Sequence, residues 1–215
     1  MNGVRRLRAR LQSHLVFYAE TVRATRQVGA FAPLSTLVAA AVAEPLAAYA
    51  APRTVLEVGA GTGALTRALI RRLGAGDRLD LCEINGRFAR VLRDEFTPLA
   101  APSVRVFAVD VDGLPRDTRY DVIVSSLPWL NLEPAKVDRI LERYDASLRP
   151  GGTLCYVDYW GNGVRVLVGS GPERRRLRGV RDAMRAFHRR YAYARRVVLW
   201  NVPPVCVHAL QKPAA

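Results

Sequence analysis

Thr54-Val-Leu-Glu-Val-Gly-Ala-Gly-Thr-Gly63 decides the fold. Val55, Leu56 and Val58 form an apolar run of strand length, Glu57 sits near its exit, and glycines follow at 59, 61 and 63. Glycine there lets the backbone turn tightly and pass close to a ligand where any Cβ would clash. Leu65, Ala68, Leu69 and Leu73 then recur on one side of a predicted helix over 63–73. A strand, a glycine loop and a helix N-terminus make a nucleotide cradle. Tight turns also need glycine for structural reasons, so the loop gains weight from a second acid. Glu83 closes another apolar strand, Arg78-Leu-Asp-Leu-Cys-Glu83, roughly twenty residues on, where a carboxylate can grip ribose hydroxyls.

The loop spacing is Gly-x-Gly-x-Gly, not the wider Gly-x-Gly-x-x-Gly that suits a pyrophosphate. An acid in the loop strand repels phosphate and suits an ammonium or sulfonium group. In these residues the sequence resembles the class I methyltransferases, whose first motif is an acid followed by this triple glycine. The resemblance implies S-adenosylmethionine as cofactor, with Glu57, Gly59, Ala60, Gly61, Gly63, Glu83 and Ile84 around it. Asp110, in Ala108-Val-Asp-Val-Asp112, stands where such enzymes use an acid to accept from the adenine amino group, with Val111 beside it. The structural alternative for Asp110 is a turn cap.

Strand and helix patterns alternate along the middle of the chain, as in a parallel α/β sheet. Strands are predicted near 54–58, 79–83, 104–109, 121–126 and 153–158, and helices near 63–73, 86–95 and 134–147. Pro150-Gly151-Gly152 reads as a turn before the fifth strand. Arg195-Arg-Val-Val-Leu-Trp200 and Val205-Cys-Val-His-Ala-Leu210 resemble the antiparallel hairpin that ends class I methyltransferase sheets. The expected fold is therefore α/β, a Rossmann-like, seven-stranded, mostly parallel sheet with a terminal antiparallel hairpin, preceded by an amphipathic helix. Two regions are expected: that helix over 1–27, then one domain over 28–215 with a basic insertion at about 161–195.

At 215 residues and 50% hydrophobic composition, one domain with a sizeable core is the simplest reading. Cys82, Cys155 and Cys206 fall in predicted strands, so buried thiols in a reducing compartment are expected, and no spacing suits a metal. No uninterrupted apolar stretch reaches the length of a membrane span; Ala30 to Ala51 is broken by Pro33, Glu44 and Pro45. A signal-peptide core is also missing. A cytoplasmic protein, peripheral on the inner face of the cell membrane, is expected.

The net charge of +14 calls for a polyanionic partner, either nucleic acid or an anionic bilayer. Only Lys136 and Lys212 of the 33 basic residues are lysines, and arginine's planar fork suits phosphate. A GC-rich genome would also favour arginine. Val4, Leu7, Leu11, Leu15, Tyr18 and Val22 lie on one helical face, with Arg5, Arg6, Arg8 and Arg10 on others. Such a helix either packs on the domain or lies in a membrane interface; the charge density favours the membrane. A second basic block, Pro172 to Arg196, holds ten arginines against Glu173 and Asp182. There Leu177, Val180, Met184 and Phe187 are spaced as a helical face.

The loop after the fourth strand, Ser125-Ser-Leu-Pro-Trp-Leu-Asn131, should border the transferred methyl group. Enzymes that methylate adenine or glutamine amines carry Asn/Asp-Pro-Pro-aromatic at this point, and this chain does not. Its loop, with Val28-Gly-Ala-Phe-Ala-Pro-Leu-Ser35 and Asn201-Val-Pro-Pro204, resembles the bacterial phospholipid N-methyltransferases. That resemblance implies stepwise methylation of phosphatidylethanolamine toward phosphatidylcholine. It places Tyr159, Ser126, Leu127 and Asn131 at the reacting centre. Tyr18 and Trp129 become candidates for holding methylated ammonium, and Arg174 and Arg178 for holding lipid phosphate. Core packing is an equal reading for each aromatic residue. Departures are Ala60 for the family's proline, Trp160 for a glycine, and a longer, arginine-rich 159–201 segment.

Two rivals stand beside this reading. An RNA adenine N6-methyltransferase would explain the charge but should have the missing loop, so nucleic acid is the less favoured partner. A non-catalytic binding module would have no need of Glu57, the glycines, Glu83 and Asp110.

Overall fold

A computed structural model of the chain describes residues 36–159, 171–199 and 204–214. The amino-terminal helix with Tyr18, the 28–35 segment, Trp160, and Asn201 to Pro203 lie outside the described residues, as does the side chain of Tyr159.

The apolar runs become the strands of one seven-stranded sheet ordered β3-β2-β1-β4-β5-β7-β6. These are β1 (Thr54–Val58), β2 (Arg78–Cys82), β3 (Ser103–Phe107), β4 (Tyr120–Ser125), β5 (Leu148–Tyr159), β6 (Ala192–Val198) and β7 (Val205–Gln211). β1 to β5 are parallel, whereas β7 runs antiparallel to both β5 and β6. The central strands are buried on both faces and so read as continuous apolar runs rather than alternating ones.

Alternate residues still choose opposite faces. Val55, Val122 and Val124 pack on one side with α1 (Thr36–Ala43) and α2 (Ala64–Ile70). Leu92 and Phe96 of α3 (Gly86–Phe96) join that cluster. Leu56, Ile123 and Leu154 pack on the other side with α4 (Pro134–Ser147) and α5 (Gly171–His188). Asn85 caps α3 by accepting from Arg87 N and Phe88 N, and Pro134 opens α4 where its missing N–H costs nothing.

The basic block is thus mostly α5, held against α4 through buried Val180 and Phe187, with Leu177 buried as well. Its close approach depends on Gly179, where a Cβ would lie 2.8 Å from Cγ of Pro134. Exposed arginines occupy its outer side.

Several boundaries differ from expectation; β3, for one, closes at Phe107 rather than 109. α2 ends at Ile70, short of Leu73. β6 begins at Ala192 and closes at Val198, earlier than 195–200, because it is an edge strand whose exposed Ala192, Tyr193 and Ala194 form no buried apolar run. Pro150-Gly151-Gly152 is not a turn before β5 but lies inside it; Gly151 takes φ +75° and the register with β4 shifts between Tyr120 and Val122.

Asp80 of β2 is buried within this frame. It accepts from Arg105 Nε and Nη2, each at 2.8 Å, and from the Tyr120 hydroxyl at 2.9 Å, with Arg78 at 3.3 Å. The three cysteines are free thiols and buried. No helix among the described residues is long and apolar enough to cross a membrane, and none of their His, Cys, Asp and Glu side chains form a group able to hold a metal.

Candidate active site

β1 to β4 all end on the same side of the sheet, where their loops open a cleft of about 410 Å³. Such a crevice at the carboxyl ends of parallel strands is the usual ligand site of an open α/β sheet. Gly59, Glu83, Ile84, Asp110, Val111, Ser126 and Leu127, all singled out in the sequence, line it. Pro128, Leu132, Lys136 and Ile140 line it too.

The glycine loop is pinned from both sides. Gly59 N donates to Cys82 O at 2.8 Å, and Gly61 N donates to Glu83 Oε2 at 2.8 Å. Asn85 N donates to the other Glu83 oxygen at 2.8 Å, so that carboxylate is aimed by two backbone amides. Gly59 (φ +76°) meets the fourth-strand loop: the Ser126 hydroxyl donates to Gly59 O at 2.6 Å, and a Cβ on Gly59 would sit 3.1 Å from that hydroxyl. Gly63 (φ +84°) begins α2 under the Phe96 ring, where a Cβ would come within 2.6 Å. Ala60 is buried beside them.

Glu57 lies beneath this loop rather than in the cleft wall, and it is 1% exposed. One oxygen accepts from the Thr66 hydroxyl at 2.7 Å, and Oε1 is buried with no partner. Burial pushes its carboxyl up to about 8, opposed by the Thr66 hydrogen bond and assisted by the Glu83 charge. A buried, half-satisfied acid under a glycine cradle fits a ligand that brings a cation to it.

Asp110 takes the turn-cap role weighed for it in the sequence and also faces the cleft. It caps the 3₁₀ turn Val111–Gly113, with Oδ1 accepting from Val111 N at 2.7 Å, and it lines the cleft. Its Oδ2 accepts from Lys136 Nζ. Partial burial pushes its carboxyl up, but the Lys136 ammonium and the Val111 amide outweigh that and hold it below the ordinary carboxylate value.

Other predicted residues sit further off. Trp129 is 4% exposed, its ring packed edge-on against Tyr144 (6.2 Å) and Tyr156 (5.9 Å), which is the packing alternative. Asn131 ends the 3₁₀ turn that Trp129 begins, and Tyr159 pairs with Val205 through its backbone. Arg174 and Arg178 are exposed on α5. Arg176, not picked out in the sequence, is the arginine that reaches the fourth-strand loop, donating to Leu130 O at 2.9 Å and Leu132 O at 2.8 Å.

Behind Trp129 lies a square of four rings. Tyr156 OH and His188 Nε2 are 2.7 Å apart, and Tyr193 OH and His208 Nδ1 are 2.8 Å apart. His208 stacks on Tyr156 at 4.4 Å, and His188 on Tyr193 at 4.7 Å. Burial, then the His188 and Arg195 charges, push His208 down to about 4.

Comparison with known proteins agrees with this geometry. Residues 55–152 match a family profile described as a methyltransferase domain. The bifunctional biotin-biosynthesis protein BioCD of Bordetella avium is 41% identical over 120 residues, which is 54% of this chain and 24% of that protein. The ubiquinone/menaquinone C-methyltransferase UbiE of Hydrogenovibrio crunogenus is 31% identical over 107 residues, 49% of this chain and 41% of that one. The chain therefore spans less than half the length of these curated relatives.

Among solved structures, the N-methyltransferase NodS of Bradyrhizobium japonicum bound to S-adenosylhomocysteine superposes with a TM-score of 0.64. It shows 14% identity over 82% of this chain and 86% of that one. An O-methyltransferase of Bacillus cereus, also with S-adenosylhomocysteine, gives 0.66 at 20% identity over 90% of each chain. At these identities the likeness is one of fold: the class I fold of the S-adenosylmethionine-dependent methyltransferases.

Proposed function

We propose that this protein transfers methyl groups from S-adenosylmethionine to the amine of ethanolamine phospholipids at an anionic membrane surface. The observation that carries the acceptor assignment is the fourth-strand loop. Among the described residues no carboxamide lines the cleft, and the Ser126 hydroxyl is committed to Gly59 O. A nucleobase amino group has no side-chain clamp there. Leu127 and Pro128 offer an apolar wall instead. The family match ends at residue 152, before most of β5, α5 and the β6–β7 hairpin. That profile therefore bears on the cofactor half more than on the acceptor.

S-adenosylmethionine supplies an electrophilic methyl on a sulfonium centre. Glu83 suits its ribose hydroxyls, Asp110 its adenine amino group, and Glu57 the charged amino end beneath the glycine loop. The acceptor nitrogen must arrive uncharged, because only its lone pair can displace the neutral sulfur leaving group. Leu127 and Pro128 help by excluding water, which disfavours the ammonium form and lets proximity govern the step. Exposed arginines on α5 attract the lipid phosphate and the surrounding headgroups. The same charge supports the reading of peripheral attachment at the inner face of the cell membrane.

The test is radiolabelled methyl transfer into phosphatidylethanolamine vesicles, with bulk RNA as a parallel acceptor. Label in mono-, di- or trimethylated lipid is expected. Label in RNA alone, or in neither despite cofactor binding, overturns the lipid assignment.

A further inference from the structure

Among the described residues, the cation that lines the cleft is Lys136. It sits in the first turn of α4 and lines the cleft beside Asp110, Val111 and Ile84. Its ammonium holds one Asp110 oxygen, while the other accepts the Val111 amide. The backbone donor next to the acid is thus already committed within the protein. A ligand that gives a hydrogen to Asp110 and needs one in return finds its donor in Lys136. An ammonium has three hydrogens, and Asp110 takes one of them.

An aminopurine edge has that pattern. Its exocyclic amino group donates, and ring nitrogens flanking it accept. Resting on the reading of the cleft as a cofactor site, we propose that Lys136 donates to a ring nitrogen of the adenine, forming with Asp110 a paired donor and acceptor that selects and positions that base.

The residue type supports this. Lysine occurs twice among 33 basic residues, yet one of the two stands here. An arginine fork would engage both Asp110 oxygens in a bidentate pair and leave little acceptor capacity. A compact ammonium on a flexible stem leaves lone pairs open and can share its hydrogens between the acid and a base. Lys136 keeps a side-chain exposure of 28% and Asp110 one of 37%, so both are reachable from the cleft.

The test measures S-adenosylhomocysteine binding by calorimetry in wild type and Lys136→Met. Analogues in which carbon replaces N1 or N7 of the adenine provide the second axis. Losing a charge-assisted hydrogen bond should weaken wild-type binding about tenfold for one of the two analogues. Lys136→Met should bind the parent compound about tenfold more weakly and show no further loss with that analogue. Equal or tighter parent binding by the variant would mean that Lys136 only plugs the site, and would overturn the proposal. So would a variant as sensitive to the replaced nitrogen as wild type. Wild type that fails to bind S-adenosylhomocysteine at all would instead sink the cofactor reading, and this inference with it. Thermal melting checks folding, and Lys136→Leu, which also lacks a donor, replaces the Met variant if that one is unfolded.

Discussion

Binding of S-adenosylhomocysteine at pH 7 should release close to one proton, and Glu57 should be its source. With its carboxyl pushed up to about 8 by burial, Glu57 is about nine-tenths protonated at pH 7. A ligand that brings an ammonium toward the unpartnered Oε1 favours the ionised form, so binding and deprotonation are coupled. The affinity should rise by up to about tenfold per pH unit between roughly pH 5 and 8, then level off. Calorimetry at pH 7 in buffers of different ionisation enthalpy reads the proton count directly as a slope. Glu57→Gln should bind more weakly and give a slope near zero.

The apo protein should show the opposite trend. A folded value raised from 4.5 to about 8 contributes stability that is fully present below pH 4.5 and lost as pH rises through 8. The loss amounts to roughly 5 kcal/mol if Glu57 alone is responsible. A buffer-independent binding enthalpy in wild type, or an unchanged slope in Glu57→Gln, would refute the coupling.

Three further outcomes are expected. Asp80→Ala should cost about 3–5 kcal/mol in urea unfolding, because Arg105 and the Tyr120 hydroxyl lose their shared acceptor; a loss below 1 kcal/mol would contradict that. Gly179→Val should destabilise by about 1–3 kcal/mol through the clash with Pro134, whereas Gly86→Ala, with open space around it, should be neutral or stabilising. His208 contributes stability that is complete above its unfolded value of 6.5 and declines as pH falls toward 4; His188, lowered by burial, acts in the same direction. Because Glu57 acts in the opposite sense, the readout is a difference: wild type should lose about 2 kcal/mol relative to His208→Phe between pH 7 and pH 5 in thermal melts, the phenyl ring keeping the stack on Tyr156.

The strand-and-loop frame was legible because burial wrote it locally. β1 spans Thr54 to Val58 as read, and the glycines, Glu83 and Asp110 meet at one end of the sheet because each follows a parallel strand. Where signals were not local, the reading fell short. Lys136 reaches Asp110 across the cleft from a helix whose sequence marks only an amphipathic face. Trp129 is buried by Tyr144 and Tyr156, partners distant in sequence, so composition could not separate packing from ligand contact. Arg176 differs from Arg174 and Arg178 only by rotation about α5, and that rotation is set by packing against α4. Pro150-Gly151-Gly152 carried a turn signal that the sheet overrode with an irregular strand.

The strand order has a further consequence for synthesis on the ribosome. β6 is made before β7, yet β7 is the strand that pairs with β5. From Thr153 to Tyr159, the outer backbone of β5 waits for a partner that is not translated until residues 205–211. At about 5–20 residues per second, that interval lasts a few seconds. Throughout it the nascent sheet presents an apolar edge open to wrong pairing. The arginine-rich α5 is made within the same interval, so the growing chain bears its densest positive charge while its stickiest edge is bare. Mutual repulsion between nascent chains would then help keep neighbouring copies apart until β7 closes the sheet.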